Sequence, residues 1–344
     1  MILVLHGARA NAGDFLIRDR GLAILRRVCA NQDLVLHPRW ERIPPSLFDQ
    51  ADAVVLCGGP GLAPGFYPKI FPLVRRLEEH PTPVLPLALG WSGMNSQRPD
   101  RFFSRRSVEA LQTIHSRIGW SGVRDDLSLE LVRSIDVGEV RRTGCVAWYE
   151  LELLGRPFEP PHKIRRVVFT PPAKRRPGGL RESLRLLRVV RNRYPDAQRW
   201  CVFHRGMRMR KEVSAETSTA ERRATATAAR MLGFRVIDAS GTSDAVESYG
   251  ECDLHIGYRV HAHLGMLSRR RPSLLVIEDG RGAGQSMTLH DPYHLRAGSA
   301  GLVDAVDQAL AREEASRFAA TAHAVEEIEA TWPVMRDTVT QLPH

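Results

Sequence analysis

Short apolar runs alternate with amphipathic segments along most of the 344-residue chain. A short run of apolar residues predicts a buried strand, and apolar residues at steps of three and four predict a helix. In the first half, the pattern predicts strands at residues 2–5, 34–36, 52–57, 83–89 and 122–124 and helices at residues 15–29, 70–79 and 102–114. Strands separated by helices favour a parallel sheet with helices on both faces.

The same alternation restarts after a proline-rich segment at residues 155–162, which has neither a helical nor a strand period. The second half predicts strands at residues 166–169, 199–203, 235–237, 253–257 and 273–277 and helices at residues 180–193, 219–232, 243–249, 301–310 and 313–338. We therefore expect an α/β fold with two Rossmann-like domains, at residues 1–155 and 163–315. The final helix, at residues 316–344, is expected to pack back on the first domain.

The most informative motif follows the strand predicted to end at Gly257. Arg259, His261 and His263 come at every second position, before the next helix is expected to begin, so on an extended chain their side chains would point the same way. Arginine offers a charged planar fork for phosphate or carboxylate oxygens, and histidine moves protons near neutral pH. The motif predicts an anion site with proton-transfer groups. The alternative is that Arg259 and one histidine lie on the surface and the other histidine lies in the core.

Glycine-rich turns follow two strands of the first half, at the edge where ligands of parallel sheets bind. The first strand leads to Asn11 and Asp14, and the third leads to Gly58 and Gly59. The first turn of the helix after Asn11 would present free N–H groups to an anion or a hydroxyl. Asp14 is expected to cap this helix, and proton transfer is its alternative role.

Further charged residues are predicted at the same strand edges. Arg124 is a second candidate for anion binding, or a structural partner of an aspartate, and His204 is a candidate base or a plain surface residue. The loop at residues 170–178 carries Lys174 and is expected to be solvated or to touch a phosphorylated acceptor. The glycine-rich stretch at residues 278–286 is expected to be a flexible loop that cradles a ligand or closes a cleft.

The charge and the cysteine content of the chain limit which ligands, metals and cellular locations it fits. The net charge of +10 fits an acidic substrate or a peripheral membrane contact better than nucleic acid, because aromatic residues are only 7% and do not interleave with basic ones. Five scattered cysteines argue against a disulfide framework, and no carboxylate or cysteine near His261 and His263 completes a metal site. We expect no metal and no cofactor. The first apolar run is too short for a signal peptide, so the sequence predicts a cytoplasmic location.

Several of these motifs together resemble one family. Gly257-Tyr-Arg-Val-His261, preceded by Asp253, resembles the Gly-x-Arg-Leu-His motif of the polysaccharide pyruvyl transferases. Asn11-Ala-Gly13-Asp14 resembles the family's Asn-x-Gly-Asp element, residues 51–61 its apolar strand before three glycines, and residues 123–128 its x-Arg-Asp-x-x-Ser element. Val260 replaces the usual leucine and Pro60 the third glycine.

The resemblance implies a fold and a reaction. The fold would be glycosyltransferase B-like, with two Rossmann-like domains facing across a cleft. The reaction would move the enolpyruvyl group of phosphoenolpyruvate onto a sugar of a polysaccharide or its precursor, such as a lipid-linked saccharide. It would form a pyruvate ketal and release phosphate, in cell-envelope or exopolysaccharide biosynthesis.

The resemblance also implies residue roles. Arg259 and Arg124 would hold the donor's two anionic groups, His261 would act as acid toward the departing phosphate, and Asp14 or His204 would face the sugar. The remaining substrate-binding candidates are Gly257, Asn11, Gly58, Gly59 and His263.

Two other functions fit the same pattern. A nucleotide-sugar glycosyltransferase of the glycosyltransferase B type could use Glu278 or Asp279 to hold ribose hydroxyls. A non-catalytic protein of a cell-envelope pathway is the second alternative.

Overall fold

The structure is a computed structural model that describes residues 1–91, 93, 102–207 and 218–343. The strands described in the first half are β1 (Ile2–His6), β2 (Leu34–Pro38), β3 (Ala53–Cys57), β4 (Val84–Leu87), β5 (Ser121–Val123) and, beyond those expected from the apolar runs, β6 (Val140–Arg142). The α-helices described between them are α1 (Ala12–Val28), α2 (Pro45–Asp49), α3 (Arg105–His115) and α4 (Asp126–Arg133).

The second half repeats the pattern. Its strands are β7 (Arg166–Thr170), β8 (Gln198–Phe203), β9 (Phe234–Asp238), β10 (Leu254–Gly257) and β11 (Ser273–Leu275). Its α-helices are α5 (Gly179–Arg193), α6 (Thr219–Met231), α7 (Asp244–Glu247), α8 (Val260–Ser268), α9 (Gly280–Thr288), α10 (Leu302–Ala315) and α11 (Ala319–Val339).

Strand order places the candidate residues at the centre of each sheet. The first sheet has the order β2-β1-β3-β4 and the second β11-β10-β7-β8-β9, and every pair in both is parallel. The chain reverses its winding direction between β1 and β3 in the first sheet and between β7 and β10 in the second. Ligands of open parallel sheets bind where the order reverses. The loops after β1 and β10, which carry the predicted motifs, lie at these two points.

The two halves share a core and an ionic network. The largest apolar cluster contains residues of α1, α8 and the helical turn Val146–Trp148, and the buried Trp148 donates its indole N–H to Gln285 Oε1 at 2.7 Å. Beside it, Arg20 of α1 pairs with Glu150 and with Glu247, and Arg269 after α8 pairs with the same two carboxylates. These contacts fix the relative position of the two sheets.

The last helix crosses back to the first half, as predicted. Trp120, just before β5, donates its indole N–H to Thr338 Oγ1 at 3.0 Å, and its carbonyl accepts from Gln341 Nε2 at 3.0 Å. The predicted helix at residues 313–338 is interrupted, because Arg317 and Phe318 have positive φ angles and separate α10 from α11. Among the described residues, no helix is long and apolar enough to cross a membrane.

Two other segments differ from the expectation. Instead of a helix at residues 70–79, the chain forms single helical turns at Phe66–Ile70 and Leu77–Glu79, since Pro72 has no amide hydrogen for a helix. The stretch expected to be a flexible loop at residues 278–286 is mostly the helix α9. Asp279 caps that helix by accepting from the Arg281 amide at 3.0 Å.

Candidate active site

Arg259 joins the two halves of the molecule at the centre of the cleft. It is the N-cap residue of α8 and is only 8% exposed. Its Nη2 donates a hydrogen bond to Oδ1 of Asn11 at 2.8 Å, and Asn11 is the N-cap residue of α1. Burial, together with Arg205, lowers the pKa of Arg259 to about 10, so the guanidinium remains charged at neutral pH. A hydrogen bond to a charged group of this kind stabilises by about 1.5–3 kcal/mol.

Gly257 positions Arg259. Its φ of +148° is rarely adopted by residues with a side chain, and a Cβ there would lie 2.6 Å from Thr170 Oγ1 at the end of β7. The chain therefore turns across the end of β7, where the Tyr258 amide donates to the Thr170 carbonyl at 3.0 Å and the Arg259 amide to Thr170 Oγ1 at 3.2 Å. Only glycine fits this approach without moving the neighbouring strand.

His261 lies in the first turn of α8, against the backbone of α1. A Cβ on Gly13 would come within 2.6 Å of the His261 ring, so the imidazole packs directly on that glycine. Burial, followed by the charges of Arg281, Arg124 and Arg259, holds the pKa of His261 well below its ordinary value. The imidazole is neutral at pH 7 and surrounded by positive charge.

The N-terminus of α9 completes the positive surroundings. Arg281 Nη2 and Lys174 Nζ pair with Asp279 at 2.7 and 2.9 Å. Burial alone would raise the pKa of Asp279, but Arg281 and Lys174 outweigh it and hold that pKa below its ordinary value. The sequence did not indicate Arg281, because its segment was expected to be a loop, and for Lys174 it left open whether the side chain is solvated or touches a phosphorylated acceptor.

The N-termini of α1 and α8 meet at His261, and charged residues at the N-terminus of α9 act on the same imidazole. The N-cap residues of α1 and α8 are hydrogen bonded to each other, and the N-terminal residues of α9 act electrostatically on His261. Helix N-termini carry partial positive charge and free N–H groups, which together favour anions. With Arg259, Arg281 and Lys174, this centre is suited to a ligand with more than one negative charge.

Arg124 lies beside this centre but is held by protein atoms. Its Nε donates to Asp125 Oδ2 at 2.9 Å, and its Nη2 donates to the carbonyl of Trp91. Asp125 caps α4 through the Ser128 amide at 2.8 Å. The structure therefore shows the aspartate pair that was one of the two expectations for Arg124, while the Arg124 charge still acts on His261.

The N-terminal candidates lie on the opposite side of the cleft. Asn11, rather than Asp14, is the N-cap residue of α1, and no side-chain cap is formed there, so the expectation that Asp14 caps this helix is wrong. The Asp14 carboxylate acts electrostatically on both Arg39 and Arg259. Gly58 and Gly59 follow β3, and Gly59 packs beside Arg39.

His204 is buried rather than on the surface. Its Nε2 is 2.7 Å from the hydroxyl oxygen of the fully buried Tyr249, and its carbonyl accepts from the Ala12 amide at 3.0 Å. Burial, with Arg259 and His261 nearby, holds the pKa of His204 well below its ordinary value. This position supports the start of α1 and leaves the ring hydrogen bonded inside the core.

His263 is not brought together with His261. Because α8 already begins at Val260, the two histidines are about 200° apart around the helix instead of on one side of a strand. His263 Nδ1 is 2.8 Å from Ser273 Oγ, which also contacts His255 Nδ1 at 2.8 Å. His263 lines a cavity of about 30 Å³ together with Leu254 and Tyr293. Among the described residues, no three His, Cys, Asp or Glu side chains form a metal-binding group.

The contact between Gly13 and His261 gives a first prediction. We expect Gly13→Ala to lower the free energy of unfolding by about 1–3 kcal/mol, since the added methyl group overpacks the interface of the two halves. Chemical denaturation measures the change. Gly282→Ala is the matched control, because Gly282 also lies in a first helical turn and its Cβ would meet Ile277 at an ordinary 3.4 Å. Equal effects of the two substitutions would contradict the close packing.

Two solved structures with a similar fold superpose on this chain over nearly its whole length. The UDP-GlcNAc 2-epimerase from Neisseria meningitidis bound to UDP-GlcNAc superposes with a TM-score of 0.54 at 12% identity, over 98% of each chain. The S. aureus MnaA–UDP complex superposes with a TM-score of 0.52 at 13% identity, over 96% of this chain and 92% of that one. At this identity the likeness shows the fold alone, which is glycosyltransferase B-like.

Sequence comparison identifies the family. No curated protein matches the chain significantly. The family model described as polysaccharide pyruvyl transferase matches residues 11–265, from the Asn11 cap through the motif at Gly257 to His261. That match covers most of the chain and includes both sides of the cleft. The chain therefore belongs to the polysaccharide pyruvyl transferase family.

Proposed function

We propose that this protein transfers the enolpyruvyl group of phosphoenolpyruvate to two hydroxyls of a saccharide, forming a pyruvate ketal and releasing phosphate. The observation that carries the proposal is the hydrogen bond between Arg259 and Asn11, which brings the N-termini of α8 and α1 together around His261. Phosphoenolpyruvate is small and carries a phosphate and a carboxylate, so it matches a compact centre with several positive charges.

The reaction needs balanced proton movements at this centre. One acceptor hydroxyl attacks C2 of the donor while a proton adds to the methylene carbon, which becomes a methyl group. The C2–O bond to phosphate then breaks, and the second hydroxyl attacks the oxocarbenium-like C2. The two acceptor hydroxyls lose two protons in total. One proton is balanced by the proton that forms the new methyl C–H bond, and the other is carried away by the released phosphate.

The residues divide between these tasks. Arg259, Arg281 and Lys174 hold the anionic donor, and the nearby guanidinium of Arg124 adds positive charge. His261 donates a hydrogen bond and then a proton to the departing phosphate. We assign the acceptor to the first half of the molecule, where Asp14, in the first turn of α1, can accept a proton from an attacking hydroxyl. His204 supports the start of α1 through its carbonyl.

A nucleotide-sugar glycosyltransferase is the competing function, since the two superposed structures hold UDP or UDP-GlcNAc. The carboxylates expected to bind ribose hydroxyls are engaged within the protein, which weighs against it. Glu278 accepts from the Ala173 and Lys174 amides at 3.0 and 3.1 Å, and Asp279 is paired with Arg281.

The test is calorimetric titration of the protein with phosphoenolpyruvate and, separately, with UDP- and GDP-sugars. We expect phosphoenolpyruvate to bind and to be displaced by inorganic phosphate added in excess. Binding of a nucleotide sugar without any binding of phosphoenolpyruvate would overturn the proposal. Binding of none of these ligands would favour the non-catalytic alternative.

Donor binding is expected to draw a proton onto His261. The imidazole is neutral in the free protein because its pKa is held well below its ordinary value, and the negative charge of the donor raises that pKa. Titrations in buffers with different ionisation enthalpies measure the protons taken up. We expect uptake near pH 6.5 to be larger, by up to one proton, in the wild type than in His261→Asn. Equal uptake in both proteins would contradict a proton role for His261.

A membrane contact would suit a lipid-linked acceptor, and one surface fits it. Neither α5 nor α6 has an exposed acidic residue, and together they expose the arginines Arg181, Arg185, Arg188, Arg191, Arg223 and Arg230. Next to Arg230, Met231 is 83% exposed. Arginines near an anionic membrane contribute about 1 kcal/mol each.

We therefore expect the protein to sediment with vesicles that contain phosphatidylglycerol and not with pure phosphatidylcholine vesicles. Replacing Arg181 and Arg188 by Glu should weaken this binding more than tenfold, because two favourable charges become repulsive. The matched control replaces Arg26 and Arg27, two exposed arginines of α1, by Glu. Vesicle binding that responds equally to both pairs would show that no specific face is involved.

A further inference from the structure

A second cationic centre lies at the carboxyl edge of the first sheet. Arg39 directly follows β2, and its amide donates to the carbonyl of His6, the last residue of β1, at 3.0 Å. Two glycines, Gly7 just after β1 and Gly59 just after β3, pack against the Arg39 side chain. The guanidinium carbon is 3.2 Å from the position that a Cβ on Gly7 would take, and Nη1 is 3.6 Å from that position on Gly59. Arg39 therefore sits over the loops where this sheet binds ligands.

The Arg39 guanidinium has a donor that the protein does not use. Its Nη1 is buried and has no hydrogen-bond partner among the described residues. One face of the side chain lies over the Phe71 ring, with the guanidinium carbon 5.8 Å from the ring centre. A buried donor left unpaired costs about 1–3 kcal/mol, and most such groups in proteins have a partner. The unpaired N–H groups suit an anionic group of a ligand.

An exposed aromatic residue stands next to this arginine. Trp40 is 37% exposed, with His6 edge-on at 6.4 Å and the Arg9 guanidinium over its ring at 5.5 Å. An indole combines a flat apolar face with a polar N–H, so it packs on the C–H face of a pyranose while remaining in contact with water. A stacking ring beside a cation fits a sugar that carries charge.

Asp14 connects this centre to the donor site. Burial lowers the pKa of both Arg39 and Arg259, and the charge of Asp14, in the first turn of α1, opposes this effect at each of them, so the carboxylate acts on both centres. An acceptor held at Arg39 and Trp40 can therefore present its hydroxyls to Asp14, next to the donor.

We propose that Arg39 and Trp40 form the acceptor subsite, and that the acceptor is a saccharide with an anionic group, a phosphate or a carboxylate, on or next to the reacting sugar. This inference rests on the proposed function for the identity of the donor, but the subsite itself does not depend on phosphoenolpyruvate.

The experiment compares three probes, with phosphoenolpyruvate at saturation to fill the donor site. The probes are glucose 1-phosphate, glucuronate and methyl glucoside, and their affinities are measured by ligand-observed NMR. We expect either or both of the anionic probes to bind at least tenfold more tightly than the neutral one, and the stronger of the two identifies the anionic group. Arg39→Gln should abolish the preference, and Trp40→Leu should weaken all three probes by a similar factor.

Controls separate this inference from the proposed function. Arg26→Gln removes an exposed arginine of α1 and should leave the preference intact, and phosphoenolpyruvate should bind Arg39→Gln within about twofold of the wild type. Equal affinity for the three probes, no probe binding, or an unchanged preference in Arg39→Gln would overturn the acceptor subsite while leaving the donor proposal standing. Absence of phosphoenolpyruvate binding to the wild type would instead remove the proposed function, and the probe series without donor would still test Arg39.

Discussion

Arg259→Ala is expected to weaken phosphoenolpyruvate binding by roughly 100- to 4000-fold. Removing one partner from a buried charged pair costs about 3–5 kcal/mol, and each 1.4 kcal/mol is a factor of about ten in affinity. The substitution removes the cation nearest to the joined N-termini of α1 and α8 and leaves Asn11 Oδ1 without its donor. Calorimetric titration of the variant, at protein concentrations high enough for weak binding, gives the change.

Two further variants test whether the loss of affinity depends on the charge and shape of the Arg259 side chain. Arg259→Lys keeps the charge but loses the planar fork, so it should bind phosphoenolpyruvate with an intermediate affinity. Arg235→Ala removes an exposed arginine of β9 and should bind like the wild type. A donor affinity in Arg259→Ala within threefold of the wild type, with the melting temperature unchanged, would remove Arg259 from the donor site.

The sequence predicted the parts of the site that depend on strand ends. Apolar runs such as Ala53–Cys57, buried at every position, predict a central strand from composition alone. The residues after such strands necessarily meet at one edge of a parallel sheet. For that reason Asn11 and Arg259 could both be placed at the cleft, although 248 positions separate them.

The parts that were missed depend on packing. Helix α9 contains three glycines and has low intrinsic helix propensity. It forms because Asp279 caps it and because Gly284 allows it to approach Asp125. Its Arg281 could therefore not be placed near His261 from local sequence. His263 was misplaced for a related reason, since the first residue of α8 decides which side of the helix each histidine occupies.

The arginine of the acceptor side was also missed. Arg39 follows a strand without a glycine-rich turn to mark it, and the glycines that accommodate it, Gly7 and Gly59, follow two other strands. Only the folded sheet brings the three segments together. The unpaired Nη1, which suggests a ligand, is likewise a property of the packed side chain.

Acidification is expected to unfold the protein between about pH 6 and pH 5. Burial is the largest cause of the low pKa values of four histidines. It holds the pKa of His204, His255 and His261 well below the ordinary value and lowers the pKa of His263 to about 3. The unfolded chain binds a proton at each histidine with a pKa near 6.5, whereas the folded protein binds none there. The stabilisation by the neutral histidines is therefore complete above pH 6.5 and is lost as the pH falls.

The expected size of this effect follows from linkage. Each histidine contributes about 1.4 kcal/mol per pH unit, so four contribute roughly 5 kcal/mol per unit, against a typical total stability of about 5–15 kcal/mol. Glu278 and Glu313, whose pKa values burial raises, act in the opposite direction, but they are two groups against four histidines. Urea denaturation followed by circular dichroism from pH 8 to pH 5 measures the slope. His263→Gln, which keeps a polar group near Ser273, should reduce the slope by about one proton. A free energy of unfolding that is flat between pH 7 and pH 5.5 would show that these histidines gain protons in the folded protein, and it would remove the basis for a neutral His261 in the free enzyme.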